Sequence, residues 1–274
     1  MRETRRQRAR RLGRLSWRML KVDRRLLIFP VVAVTLSMLI AAGAFALAAA
    51  IGDGRSRSVL VLGGLIAAYP VSFVTTYCGV ALVAAVEAKF QGHAAIATRA
   101  GWDTARDRIW LIAAWTLVSC TIGTILRLIE QRLPIGGRLA WVIVGLSWSV
   151  ATVFAVPVIA YEAVGPWTTL HRSASLFRTR WGEQVSGALV IGVGVEVAMI
   201  PAVLLIVAGL ALPASLGMLL IGVGGAAIFG IGAFGFALNQ VYRVFVYRSV
   251  MWPALVDGPF TRKDLADPTR GRGR

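Results

Sequence analysis

Cysteine and histidine are scarce, with two of each in 274 residues. Two cysteines cannot build a disulfide scaffold. No Cys/His spacing fits a metal site, and neither histidine has a carboxylate placed to orient it. Acidic residues are few, 13 against 30 basic ones. All charged residues together make up 16% of the chain, where about 25% is usual for a soluble domain. Lysine is nearly missing too: Lys21, Lys89 and Lys263 are the three present, so the net charge of +17 is almost wholly arginine. What fills the space is apolar. Hydrophobic residues reach 57% and mean hydropathy is +0.70. That composition excludes a disordered chain and argues against a water-soluble globule. With its abundant Ala, Gly and Val, it suggests a GC-rich bacterial genome.

A hydrocarbon layer about 30 Å thick takes ~20 apolar residues of helix to cross. Six segments reach that length: 26–51, 59–86, 109–129, 139–161, 185–210 and 214–238. None shows the alternation of a membrane barrel strand. The sequence therefore predicts an all-α polytopic protein with a six-span membrane domain over 26–238. A basic cytoplasmic tail at 1–25 precedes it, and a basic cytoplasmic tail at 239–274 follows. Arginine and lysine set the orientation. Eleven fall in 1–25, four between spans two and three, three between spans four and five, and seven in the C-terminal tail. The resulting 25 to 5 split places both termini in the cytoplasm of a bacterial inner membrane. Six of the nine tryptophans gather near that face. The first apolar stretch is longer than the roughly 7–15 residues of a signal-peptide core, so it is expected to stay in the mature protein as a span.

Three stretches have the spacing of amphipathic helices on the cytoplasmic side. The first carries Leu12, Leu15, Met19, Val22, Leu26 and Phe29, with Arg14, Arg18, Lys21 and Arg25 on the next face. The second carries Trp102, Ala105 and Ile109, with Asp103, Arg106 and Asp107 outside. The third carries Trp167, Leu170, Ala174, Phe177 and Trp181, opposite Thr168, Arg172 and Thr179, and Pro166 suits its first turn. Each leads into a pair of spans, so a threefold helical-hairpin repeat is expected. Any multi-span protein with basic inner loops would share part of this pattern. The third stretch is the candidate inner-leaflet interface, through Trp167, Arg172, Phe177, Arg178 and Trp181.

Glu196 is the one charge deep in a span, and an ionised carboxylate there costs several kcal/mol. Pro201 frees a carbonyl one turn away, so the pair forms a candidate intramembrane polar site. Either Glu196 couples an ion or proton at a kinked helix, or it is neutral and bonded to a residue such as Ser119, Thr121, Ser147, Ser149 or Thr152. Pro70, Pro157 and Pro201 are each expected to break a span, and Gly63 and Gly64 mark span two as discontinuous. Gly222, Ala226 and Gly230 form a small-residue stripe suited to close helix packing. Arg127 and Glu130 are spaced to pair. Glu162 is placed for a hydrogen bond at a helix end. Cys78 and Cys120 read as small buried hydrophobes. The "GLSWS" run at 145–149 lacks the last glycine of a nucleophile elbow and sits in a span. No phosphate-cradling loop is present, no cofactor is implied, no catalytic set can be assembled, and no nucleic-acid motif accompanies the basic tail.

Four segments carry a resemblance: "SWRMLKVDRRLLIFP" at 16–30, "WTLVSCTIGTILRLIEQR" at 115–132, "GLSWSVATVFAVPVIAYEAVGP" at 145–166 and "HRSASLFRTRWGE" at 171–183. They resemble an uncharacterised bacterial family of six-span integral membrane proteins, a domain of unknown function. "RSASLFRTRW" is similar, more loosely, to helices in the membrane domain of some glycerophosphodiester phosphodiesterases. The resemblance implies a membrane fold and brings no active-site residues. The expected function is non-catalytic. It is that of a membrane scaffold or accessory protein engaging anionic lipid, or a protein partner, at the inner leaflet. The competing expectation is a transporter or permease using Glu196 and the kinked spans.

Overall fold

The computed structural model describes residues 5–51, 57–132, 144–145 and 147–251, and among them every regular element is helical. In chain order these are α1 (Arg5–Val22), α2 (Ile28–Ile51), α3 (Arg57–Phe90), α4 (Ala97–Asp107), α5 (Ile109–Arg132), α6 (Ala155–Glu162), α7 (Pro166–Leu210) and α8 (Ala214–Met251). Short 3-10 turns lie at Arg24–Leu27 and Ala94–Ile96. Among the described residues, five helices are long and apolar enough to cross a membrane: Arg24–Ile51, Val61–Phe90, Ile109–Ile129, Ile191–Leu210 and Ser215–Arg248. A bent pair, Ser147–Glu162 and Pro166–Arg178, raises the number to six if it counts as one span. Its halves meet at 117°.

Three expectations about these helices change. The first five residues of the expected fourth span, 139–143, lie outside the described residues, as does 146, and the remainder is not one helix. It turns at 152–154 before α6 begins. Pro157 is the reason: it has no N–H to give, and it sits within the first turn of α6, where a proline is tolerated. Pro70 and Pro201, by contrast, lie inside helices that run on through them, so span two is continuous despite Gly63 and Gly64. The third amphipathic stretch and the fifth span are also one uninterrupted helix of 45 residues. That is about 67 Å at 1.5 Å per residue, roughly twice the thickness of a bilayer core. The first amphipathic stretch does end before its span. Asp23 caps the break, its Oδ1 accepting from the Arg25 N–H at 3.0 Å.

The chain forms two compact units, Met1–Val34 with Trp181–Arg274, and Thr35–Arg180. In the first, α1 packs along α8, where Trp17 meets Phe234 edge-on at 4.8 Å. Helices α7 and α8 form a close hairpin. A Cβ on Gly224 would stand 2.7 Å from the Ala202 carbonyl oxygen, and one on Gly209 would stand 2.7 Å from that of Gly217. Gly217 and Gly224 are therefore the glycines that allow the backbones to meet. The stripe read from the sequence is on a different face: Gly222, Ala226 and Gly230 are exposed, and nothing lies within 4 Å of either glycine. In the second unit α3 is central, with α4, α5 and α6 packed on it. Its stretch from Cys78 to Val83 is buried throughout. The small residues Ala97, Gly101 and Ala105 give α4 its buried face, so backbone rather than side chain meets α3. Trp102 stacks on Tyr77 at 6.0 Å, and Ile109, expected on the apolar face, is exposed.

Candidate functional site

Arg14, Arg18, Lys21, Arg24 and Arg25 are all exposed along α1 and the turn after it. Spacings of four and three place Arg14, Arg18 and Lys21 on one face of α1, and Arg24 and Arg25 follow in the turn after it. The ammonium of Lys21 lies 5.3 Å from the centre of the Trp17 ring, which holds an indole and a cation side by side at the surface. The other side of α1 is internal: Ser16, Met19 and Leu20 are buried. An amphipathic helix at a bilayer surface is expected to sink its apolar face into lipid. Here Met19 and Leu20 pack on protein, Val22, expected on the same apolar face, is 69% exposed, and the basic face is presented outward.

The second unit carries a polar cluster where α3 ends. The Tyr161 hydroxyl donates to Glu87 Oε2 at 2.8 Å, and Gln91 Nε2 donates to Oε1 at 3.2 Å. Arg172 Nε donates to both oxygens of Glu162, at 3.0 and 3.1 Å. Arg108, between α4 and α5, donates to the Ile159 carbonyl. That carbonyl is one of the four that α6 leaves without a partner at its C-terminus, and a cation is well matched to a helix C-terminus. Burial draws the Arg108 guanidinium below its ordinary pKa, against a smaller opposing influence from the Asp107 carboxylate. At the other end of α6 the Phe154 N–H donates to Ser173 Oγ at 3.0 Å, in a buried setting. Ala163, in the left-handed conformation at φ 51°, turns the chain out of α6 toward α7. The short helix is thus capped at both ends by side chains from outside it.

Glu162 and Arg172, both singled out by the sequence, meet here. Glu87, Arg108 and Tyr161 were not. Glu87 could have been noticed as the acid in the last turn of an apolar span, but nothing in the sequence places Arg108 at a helix end 51 residues away. The other predicted residues are dispersed. Glu196 is exposed on α7 and makes no hydrogen bond or ion pair among the described residues, and Pro201 is exposed one turn on. Of the expected interface, Trp167 is 63% exposed and Arg178 is exposed, but Phe177 is buried at 5% and Arg172 is held by Glu162. Trp167, Arg172, Phe177 and Arg178 do not share one exposed face, because the buried line of this segment runs through Thr169, Ser173, Leu176 and Phe177. The side chains of Trp181 and Glu130 lie outside the described residues. Cys78 is buried, and Cys120 Sγ donates to the Ala68 carbonyl at 3.6 Å.

One family model matches the chain over residues 57–252, and its description is a family of unknown function (DUF6159). No curated protein and no solved structure matches. The looser likeness to the membrane domain of glycerophosphodiester phosphodiesterases is not borne out.

Proposed function

The chain belongs to this family of unknown function (DUF6159), and from that premise we propose that it is a non-catalytic scaffold of the bacterial inner membrane. Its basic cytoplasmic face holds anionic lipid, or a protein partner, at the inner leaflet. α6, with the helical residues from Ser147 that precede it, belongs to the fourth of six spans, both termini are cytoplasmic, and the three amphipathic segments each precede a helical hairpin.

The observation that carries this reading is the orientation of α1. Met19 and Leu20 are engaged by protein while five basic side chains stay exposed. Near an anionic leaflet each is worth about 1 kcal/mol, so the row amounts to several kcal/mol of attraction. Transport through Glu196 and kinked spans has less in its favour. Two of the three prolines do not interrupt their helices, and the ends of α6 are capped by Arg108 and Ser173, whereas transporter half-helices leave such ends for a substrate.

The test is the lipid that travels with the protein. The full chain is extracted from membranes in polymer-bounded discs, and the anionic fraction of the co-extracted lipid is measured. The wild type enriches anionic lipid over the bulk membrane, and a variant with Arg14, Arg18, Lys21 and Arg25 all changed to Gln falls to the bulk value. Equal enrichment in both would overturn the reading.

A further inference from the structure

The C-terminal part of α8 holds charged and polar groups that the scaffold reading does not use. Arg243 is partly buried there, and its Nε donates to Asn239 Oδ1 at 3.1 Å, one turn earlier. Among the described residues that is the guanidinium's one acceptor. Its terminal N–H groups meet no carbonyl or carboxylate of a described residue. Gln240, three residues before Arg243 and therefore beside it on the helix surface, is 6% exposed, and its Oε1 accepts no hydrogen bond. Val241, Tyr242 and Val244 around them are fully buried.

Among the described residues a part-buried cation without an anion and a buried acceptor without a donor thus lie within one turn. They do not answer each other, since Gln240 Oε1 is unbonded. A guanidinium cannot shed its charge as a carboxyl can, and buried groups of both kinds are costly without partners. One ligand chemistry answers both needs. An anionic phosphate supplies paired oxygens to the guanidinium fork, and a hydroxyl on the same group donates to Gln240 Oε1.

We propose that Arg243 and Gln240 form a binding site for a hydroxyl-bearing phosphate, as found in the phosphoglycerol headgroup of an anionic lipid or in free phosphate. The site stands on groups separate from the α1 row and does not rest on the scaffold reading.

The test is native mass spectrometry of the full chain in detergent, titrated separately with four probes: phosphatidylglycerol, phosphatidylmethanol (the same charge without a hydroxyl), phosphatidylcholine and inorganic phosphate. Phosphatidylglycerol is expected to bind several-fold more tightly than phosphatidylmethanol, and phosphatidylcholine to form no specific adduct. Arg243→Met loses phosphatidylglycerol affinity at least tenfold. Gln240→Leu lowers it to the phosphatidylmethanol level and leaves phosphatidylmethanol binding unchanged. Arg243→Lys keeps the charge and loses the fork, so its intermediate affinity carries the test if Arg243→Met does not fold. The α1 variant with four glutamines retains the Arg243 dependence. Arg243-dependent binding of inorganic phosphate without lipid preference would support the site and assign it to the soluble ion. Phosphatidylglycerol binding that is unchanged in Arg243→Met and Arg243→Lys, or equal binding of phosphatidylcholine, would overturn the proposal.

Discussion

Arg108 gives up solvent to reach the carbonyl of Ile159, whereas Arg172 meets Glu162 with its side chain still 41% exposed. The two arginines read alike in the sequence, as basic residues in inner loops, but removing them has different consequences. Arg108→Met leaves a helix-end carbonyl without its donor, and losing a hydrogen bond to a charged group costs about 2 kcal/mol. The thermal midpoint in detergent should fall by several degrees, and Arg108→Lys should recover part of the loss. Glu162→Gln weakens a pair that water already screens, so its cost stays within about 1 kcal/mol. Glu196→Gln should be smaller again, within about 0.5 kcal/mol, because the exposed carboxyl has no partner to lose among the described residues. The same measurement ranks all three.

Hydropathy counts residues along the chain, so it located nearly every helix that is long enough to span. It could not say which proline breaks one. A proline interrupts a helix at depth only where the freed backbone groups find new partners. The Phe154 N–H, just ahead of Pro157, has such a partner in Ser173, a residue 19 positions away that no local pattern connects to it. The glycines show the same limit. The stripe at Gly222, Ala226 and Gly230 is as regular as any, but backbone approach depends on which face of α8 turns toward α7. That face carries Gly217 and Gly224. Gly224→Val should therefore disrupt the hairpin by forcing side-chain atoms into the Ala202 carbonyl, and the thermal midpoint should fall sharply. Gly222→Val, on the open face, should leave it nearly unchanged. For α1 the alternation of basic and apolar residues was legible, as was the exposure of its basic side. The destination of its apolar side was not, because lipid and protein present the same oily surface to Leu20.

Arginine asymmetry is a property of the entire chain, and the proposed direction in the membrane rests on it. Its 25 to 5 distribution presumes six crossings, while the described residues offer five helices long and apolar enough to span and one bent pair. The number decides which side each loop faces. If the bent pair crosses, Arg18 and Ala211 are separated by five crossings and lie on opposite sides. If it turns back, four crossings separate them and both lie on one side. Single cysteines at Arg18 and Ala211, in a chain with Cys78→Ala and Cys120→Ala, make this directly readable. A membrane-impermeant maleimide added to intact cells should label Ala211→Cys and spare Arg18→Cys, with the reverse in inside-out vesicles. Labelling of both positions from the same side would contradict the account.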